Sequence, residues 1–246
     1  MPGLNAINVE QGSVLLINKP LEWTSFDVVN KLRYTLLRNL EKFKEIKEGE
    51  KRKLKVGHAG TLDPLATGLL IVCIGKETKT IDQYMATEKE YTGSFFLGAT
   101  RPSYDRETEI DQTFSTAHIT NELIDAATRQ FMGDLMQLPP AHSAIKKDGK
   151  RLYESARAGI EVELTPRAVT IKEFEITTIE MPLVHFRVVC SKGTYIRSLA
   201  NDFGKALNSG SYLNSLCRTR SGNFLLNDAL SMEQALELAQ GNELEH

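Results

Sequence analysis

Apolar residues fall along this chain in two periods. Val14-Leu15-Leu16-Ile17 reads as a short strand that stops at Asn18-Lys19-Pro20, because proline removes a ladder donor. Thr24 or Ser25 then caps a helix whose Val29, Leu32, Leu36 and Leu40 recur at helical spacing. The run Leu69-Leu70-Ile71-Val72-Cys73-Ile74 has the length and branching of a buried strand. Residues 78–86 read as a short helix, and residues 89–98 alternate as a strand. Further on, Ile124, Ala127 and Phe131 mark a helix, residues 167–178 and 183–190 read as long strands, and a helix opens around residues 191–200. Ser231 caps a last helix that carries Ala235, Leu236 and Leu238.

One stretch breaks both periods. Gly57-His58-Ala59-Gly60-Thr61-Leu62-Asp63-Pro64-Leu65-Ala66-Thr67-Gly68 is dense in glycine and proline and reads as a shaped loop running straight into the apolar strand. Pro64 biases Asp63 away from helix, so a carboxylate is presented from a rigid turn against a core element. An ordinary Asp-Pro turn is the other reading of the same residues.

Composition narrows the class. With 246 residues, 41% hydrophobic and 25% charged, the chain is an ordinary globular protein of one sizeable core. Its formal net charge of -2 argues against nonspecific coating of nucleic acid, but a local basic face remains compatible with RNA. Cys73, Cys190 and Cys217 lack metal or redox spacing and sit in apolar surroundings, so neither a disulfide framework nor a zinc site is expected. No apolar run approaches the about 20 residues that span a bilayer. A cytoplasmic location is the expectation. Gly75-Lys76-Glu77-Thr78 lacks the spacing of a nucleotide phosphate loop. Residues 38–55 form a charged run, with Lys51, Arg52 and Lys53 near the glycine-rich stretch; it reads as a solvated insertion, with phosphate contact as the alternative.

The stretch from Gly57 to Gly68 resembles the catalytic loop of the TruB family of tRNA pseudouridine synthases, and five further segments resemble the same family. Lys19-Pro20 with Trp23-Thr24-Ser25-Phe26-Asp27-Val28-Val29 is similar to its first motif, and Lys89-Glu90-Tyr91-Thr92-Gly93-Ser94-Phe95-Phe96-Leu97-Gly98 to its second. Gln137-Leu138-Pro139-Pro140-Ala141-His142-Ser143-Ala144-Ile145-Lys146, Ser191-Lys192-Gly193-Thr194-Tyr195-Ile196-Arg197-Ser198-Leu199-Ala200 and Tyr212-Leu213-Asn214-Ser215-Leu216-Cys217-Arg218-Thr219-Arg220-Ser221-Gly222 complete the match. Two places depart from the family. Ala99-Thr100-Arg101-Pro102-Ser103-Tyr104-Asp105 replaces a threonine-rich turn, and His142 stands where many members carry tyrosine.

The resemblance implies an α/β fold with a mixed, mostly antiparallel sheet flanked by helices. It implies one catalytic domain over residues 1–246, without the C-terminal PUA-type domain that many bacterial members have. It also implies isomerisation of uridine 55 in the T-loop of tRNA, by a reaction that breaks the N-glycosidic bond, turns the uracil and rejoins it through carbon 5. No donor or cofactor enters that balance, and the sequence carries no cofactor motif. By resemblance Asp63 is the essential carboxylate, Arg197 its partner and Tyr91 the ring that stacks on the flipped base. Leu216 lines the base pocket, and His58, Tyr195 and Lys19 contact substrate. The bare residues allow plainer roles: Lys19 as a solvated lysine at a strand end, Tyr91 as a packing residue, His58 as a turn histidine, Arg197 as a surface arginine. Lys146, Lys147, Lys150, Arg151, Lys192, Arg218 and Arg220 suggest an electropositive cleft for the T-arm. No membrane and no obligate protein partner is expected. A noncatalytic tRNA-binding module and a synthase acting on another RNA are the rival readings.

Overall fold

The computed structural model describes residues 7–43, 54–141, 146–147, 150–151 and 164–241. In chain order these form β1 (Ser13–Lys19), α1 (Ser25–Phe43), β2 (Val56–Ala59), β3 (Ala66–Ile74), a 3-10 segment (Gly75–Thr80), α2 (Ile81–Met85), β4 (Lys89–Leu97), β5 (Ala99–Thr100) and β6 (Gln112–Thr113). There follow α3 (Asn121–Gln130), β7 (Gly133–Gln137), β8 (Lys146–Lys147), β9 (Lys150–Arg151), β10 (Arg167–Glu180), β11 (Leu183–Cys190) and α4 (Ile196–Ala206). Last come β12 (Ser211–Ser221), β13 (Phe224–Leu225) and α5 (Met232–Ala239). The chain packs as two compact units: Met1–Thr87 with Cys217–His246, and Glu88–Leu216. Among the described residues no helix is long and apolar enough to cross a membrane.

In the first unit β1 pairs antiparallel with β3, from Ser13 opposite Ile74 to Lys19 opposite Gly68, and β2 pairs antiparallel with β3. The run predicted as a buried strand is β3, and it is covered on both faces, which is why it shows no polar alternation. One face joins Leu70, Val72 and Ile74 to Val28, Val29, Leu32 and Leu36 of α1 and to Met232, Ala235 and Leu238 of α5. The other joins Leu69, Ile71 and Cys73 to Leu16 and Ala59. Thr24 is the cap of α1: its Oγ1 accepts from the Asp27 N–H at 3.0 Å, and Asp27 Oδ2 accepts from the Thr24 N–H at 2.8 Å. Ser231 caps α5 in the same reciprocal way with Gln234.

In the second unit β4, β11, β10 and β7 follow one another as antiparallel neighbours. The first residues of β12 lie beside β4, where the Ser215 and Ser94 hydroxyls are 2.7 Å apart. Its core is aromatic. Phe95 stacks on Phe186 with centroids 4.2 Å apart, and Phe203 from α4 lies 5.4 Å from Phe95 and 5.7 Å from Phe174. Ile124 and Ala127 of α3 close this core, as their spacing predicts, while Phe131 caps the helix instead of extending it.

The expected loop is shorter than the twelve residues that signal it. Residues 57–59 belong to β2 and residues 66–68 to β3, leaving residues 60–65 as the turn. Strand pairing overrides the flexibility of Gly57, opposite Cys73 of β3, and of Gly68, opposite Lys19 of β1. Residues 44–53 of the charged run, His142, and the side chains of Lys146, Lys147, Lys150 and Arg151 lie outside the described residues.

Phe203 touches three other rings, so Phe203→Ala leaves a cavity no neighbour fills. The second unit should lose about 3–5 kcal/mol, seen as an earlier transition in chemical denaturation followed by near-ultraviolet circular dichroism.

Candidate active site

In the first unit the turn at residues 60–65 presents Asp63, half-buried, from a backbone tied down almost residue by residue. The Gly60 carbonyl accepts from Arg218 Nη2 at 3.0 Å. Leu62 is held on both sides by one hydroxyl: Ser25 Oγ accepts from its N–H at 2.8 Å and donates to its carbonyl at 3.1 Å. The Asp63 carbonyl accepts from the Ala66 N–H at 3.1 Å, and the Pro64 carbonyl from the Glu22 N–H at 2.8 Å. Only Leu62 of this turn is buried, and each tether removes a way for Asp63 to move.

Lys19 lies beneath this turn and is fully buried, 0% exposed. Its Nζ donates to the carbonyls of Trp23 at 2.5 Å, Pro20 at 2.9 Å and Pro64 at 3.4 Å. That corrects the expectation of a solvated lysine: the strand ends against the turn, and the ammonium replaces water at three carbonyls. Burial lowers its pKa from the ordinary 10.5 to about 8, the Asp63 and Asp27 carboxylates oppose that shift, and Arg218 adds to it. Arg218 needs the same correction. Expected in a solvent-facing basic cleft, it is 1% exposed, with Nε donating to the Leu69 carbonyl at 2.7 Å. His58 sits in β2 opposite Val72, and its buried Nδ1 has no hydrogen-bond partner in the structure. Burial, then the Arg218 charge, hold its pKa below the usual histidine value, which favours the neutral ring.

In the second unit Arg197 opens α4 and is 4% exposed. Its Nη1 donates to the Ser103 carbonyl at 3.3 Å, and its Nε lies 3.7 Å from Oδ2 of Asp105, itself 5% exposed. Asp105 Oδ1 accepts from the Glu107 N–H at 2.9 Å, and the Ser103 hydroxyl donates to the Asp105 carbonyl at 3.1 Å. Sequence reading passed over Asp105, which lies in the segment that departs from the family pattern. The available signal was a Ser-x-Asp after proline, a common way to build a carboxylate into a turn. Tyr195, the residue before α4, is held by a reciprocal pair: its N–H donates to Gln137 Oε1 at 2.8 Å, and Gln137 Nε2 donates to its carbonyl at 3.0 Å. Ser198 Oγ also donates to the Leu138 carbonyl at 2.6 Å, so the Gln137-Leu138 segment sets where α4 begins. Tyr91 and Leu216 are both half-buried and pack against the aromatic core. Among the described residues no cluster of His, Cys, Asp or Glu is placed to hold a metal ion.

The Lys19 geometry carries a sign. The folded protein binds fewer protons than the unfolded chain between pH 8 and 10.5, so this group adds stability as pH rises through that window. Lys19→Met should lose this rise. It should also destabilise the protein at pH 7 by about 1–3 kcal/mol, because the carbonyls lose their donor. Denaturant melts of both proteins at pH 7 and pH 10 measure the two effects.

Comparison with known proteins gives the family. The family model described as TruB family pseudouridylate synthase (N terminal domain) matches residues 46–196. A protein of Flavobacterium johnsoniae named tRNA pseudouridine synthase B is 58% identical over 222 residues, covering 90% of this chain and 93% of its own. One of Phocaeicola vulgatus with the same name is 51% identical over 239 residues, covering 97% of this chain and 98% of its own. Among solved structures, a chain of a Cbf5-Nop10-Gar1 complex superposes with a TM-score of 0.66 at 26% identity. A chain of an H/ACA RNP bound to a substrate RNA containing 2'-deoxyuridine does so with 0.64 at 24%. This chain is covered to 93% in both, and it spans about half of each of those chains, 54% and 53%. The mixed, mostly antiparallel sheet flanked by helices is thus the pseudouridine synthase fold. With a family model over most of its length and relatives above half identity across nearly all of it, the chain belongs to the TruB family of pseudouridylate synthases.

Proposed function

We propose that this chain isomerises uridine 55 in the T-loop of tRNA to pseudouridine, as a cytoplasmic enzyme with residues 1–246 as its catalytic domain. The observation that carries the reading is the presentation of Asp63: a half-buried carboxylate on a turn whose backbone is bonded at four of six residues. Relatives that share about half of the sequence bear the name tRNA pseudouridine synthase B. The reaction needs an ionised carboxylate held at the ribose or the base. Asp63 serves either by adding to the base or sugar or by steering a sugar intermediate. Atoms balance without a donor: the bond from ribose to N1 breaks, the bond to carbon 5 forms, the carbon 5 proton leaves, and N1 gains a proton.

The other residues fall into roles around that step. Arg197 is assigned to the carboxylate by resemblance; its place at the first turn of a helix pinned by Gln137 and Ser198 suits a group that must hold one direction. Tyr91 and Leu216, backed by a rigid aromatic core, suit the walls for a base taken out of its stack. Tyr91 also suits proton movement at carbon 5. His58 and Tyr195 stand as contacts to the RNA loop, and Lys19 acts through the turn it supports. T-arm phosphates would meet exposed lysines such as Lys192, giving affinity that falls with salt.

The test is tritium release from tRNA labelled at uracil carbon 5. The native chain should release tritium, and Asp63→Asn should lower the rate about 10³-fold or more while still binding tRNA. Replacing the T-loop target uridine should abolish release. No release by the native chain with tRNA bound would overturn the reading and favour a noncatalytic binding module.

A further inference from the structure

We propose that Arg218 is a positioning residue for the reaction: its buried guanidinium joins a backbone carbonyl on each side of Asp63 and so fixes the carboxylate for turnover, not for holding RNA. The inference rests on the function proposed above and adds a residue to it.

The geometry is specific. Arg218 Nη2 donates to the carbonyl of Gly60, three residues before Asp63, at 3.0 Å, and Nε donates to the carbonyl of Leu69, six residues after it, at 2.7 Å. At 1% exposure the side chain has no surface to offer a phosphate. A planar fork with donors in two fixed directions can tie two carbonyls at once, whereas an ammonium on a flexible stem cannot hold both in that relation. The chain is built close around it. A Cβ at Gly68, where φ is +99°, would fall 2.4 Å from the Arg218 carbonyl oxygen and 2.6 Å from its nitrogen, so only glycine lets β3 pass the arginine backbone here. A Cβ at Gly60, φ +88°, would lie 3.3 Å from Arg218 Nη1. Lys19 holds the turn from another side through Pro64, so the first unit places two buried cations against carbonyls of one structure. Charge alone does not explain Arg218, since Lys19 already supplies a cation near Asp63 and the two cations repel. Its distinct contribution is the two-carbonyl tie.

Arg218→Lys keeps the charge and loses the fork. It should leave the affinity for tRNA, measured in an Asp63→Asn background, within about threefold. Its kcat should fall about 10²-fold, the cost of a reacting group misplaced by about an ångström. In RNA-free protein, exchange of the Leu62 amide should quicken about tenfold, a local readout that a general packing role would not single out. Gly60→Ala reads the same contact from the turn, in case Arg218→Lys fails to fold, and should give the same split between kcat and affinity. Unchanged kcat, loss of kcat and affinity together, or unchanged Leu62 exchange would each overturn the proposal. A native chain without tritium release would sink the function reading alone, and the exchange measurement still decides whether Arg218 fixes the turn.

Discussion

The first unit depends on one constraint: a turn set against a buried strand must find partners for the backbone groups that face that strand. Residues 60–65 meet it with donors from three elements, Ser25 at the start of α1, Lys19 at the end of β1 and Arg218 on β12. Two of these are cations, which are costly to bury when carbonyl dipoles are their main partners. Their retention under a turn that carries a carboxylate makes sense if a fixed direction matters more there than stability. Apolar residues of the same size would leave the carbonyls unbonded. The ordering of Asp63 is therefore set by the surrounding fold.

The second unit solves a related problem with aromatic mass. Phe95, Phe174, Phe186 and Phe203 interlock, and the sheet of β4, β11 and β10 lies over them. Tyr91 and Leu216 lean on that core, and α4, which contributes Phe203, also carries Arg197. One helix thus links the packing core to a buried guanidinium. Side chains on such elements are placed more tightly than side chains on free loops.

Legibility in the sequence followed how local each signal was. Leu69 to Ile74 announced β3 because a strand covered on both faces must be apolar throughout, and Ser231 announced α5 because a cap acts within one turn. β10 ran to Glu180, past the expected 178, since its outer half is held by pairing with β11 and not by apolar alternation. The burial of Lys19 and Arg218 and the place of Asp105 beside Arg197 stayed hidden. Their partners are carbonyls, or a side chain far along the chain, and no spacing rule encodes those. The turn at Asp63, by contrast, was signalled by Gly60 and Pro64 beside it, although the donors that hold it lie far along the chain.

A common device emerges from the two buried arginines. Arg218 donates to the carbonyl of Gly60, three residues before Asp63, and Arg197 donates to the carbonyl of Ser103, two residues before Asp105. In each case a guanidinium grips the backbone that leads into an aspartate, so that the carboxylate's position follows from the chain and not from a direct pair alone. A direct pair fixes only the distance between two flexible ends. A grip on the preceding carbonyl fixes the root of the side chain, leaving few torsions free, and the carboxylate oxygens remain available for other partners. The Asp105 oxygens use that freedom on the Glu107 N–H and on Arg197 itself. The same grip on the backbone ahead of Asp63 fixes the root of its side chain through the fold of the first unit.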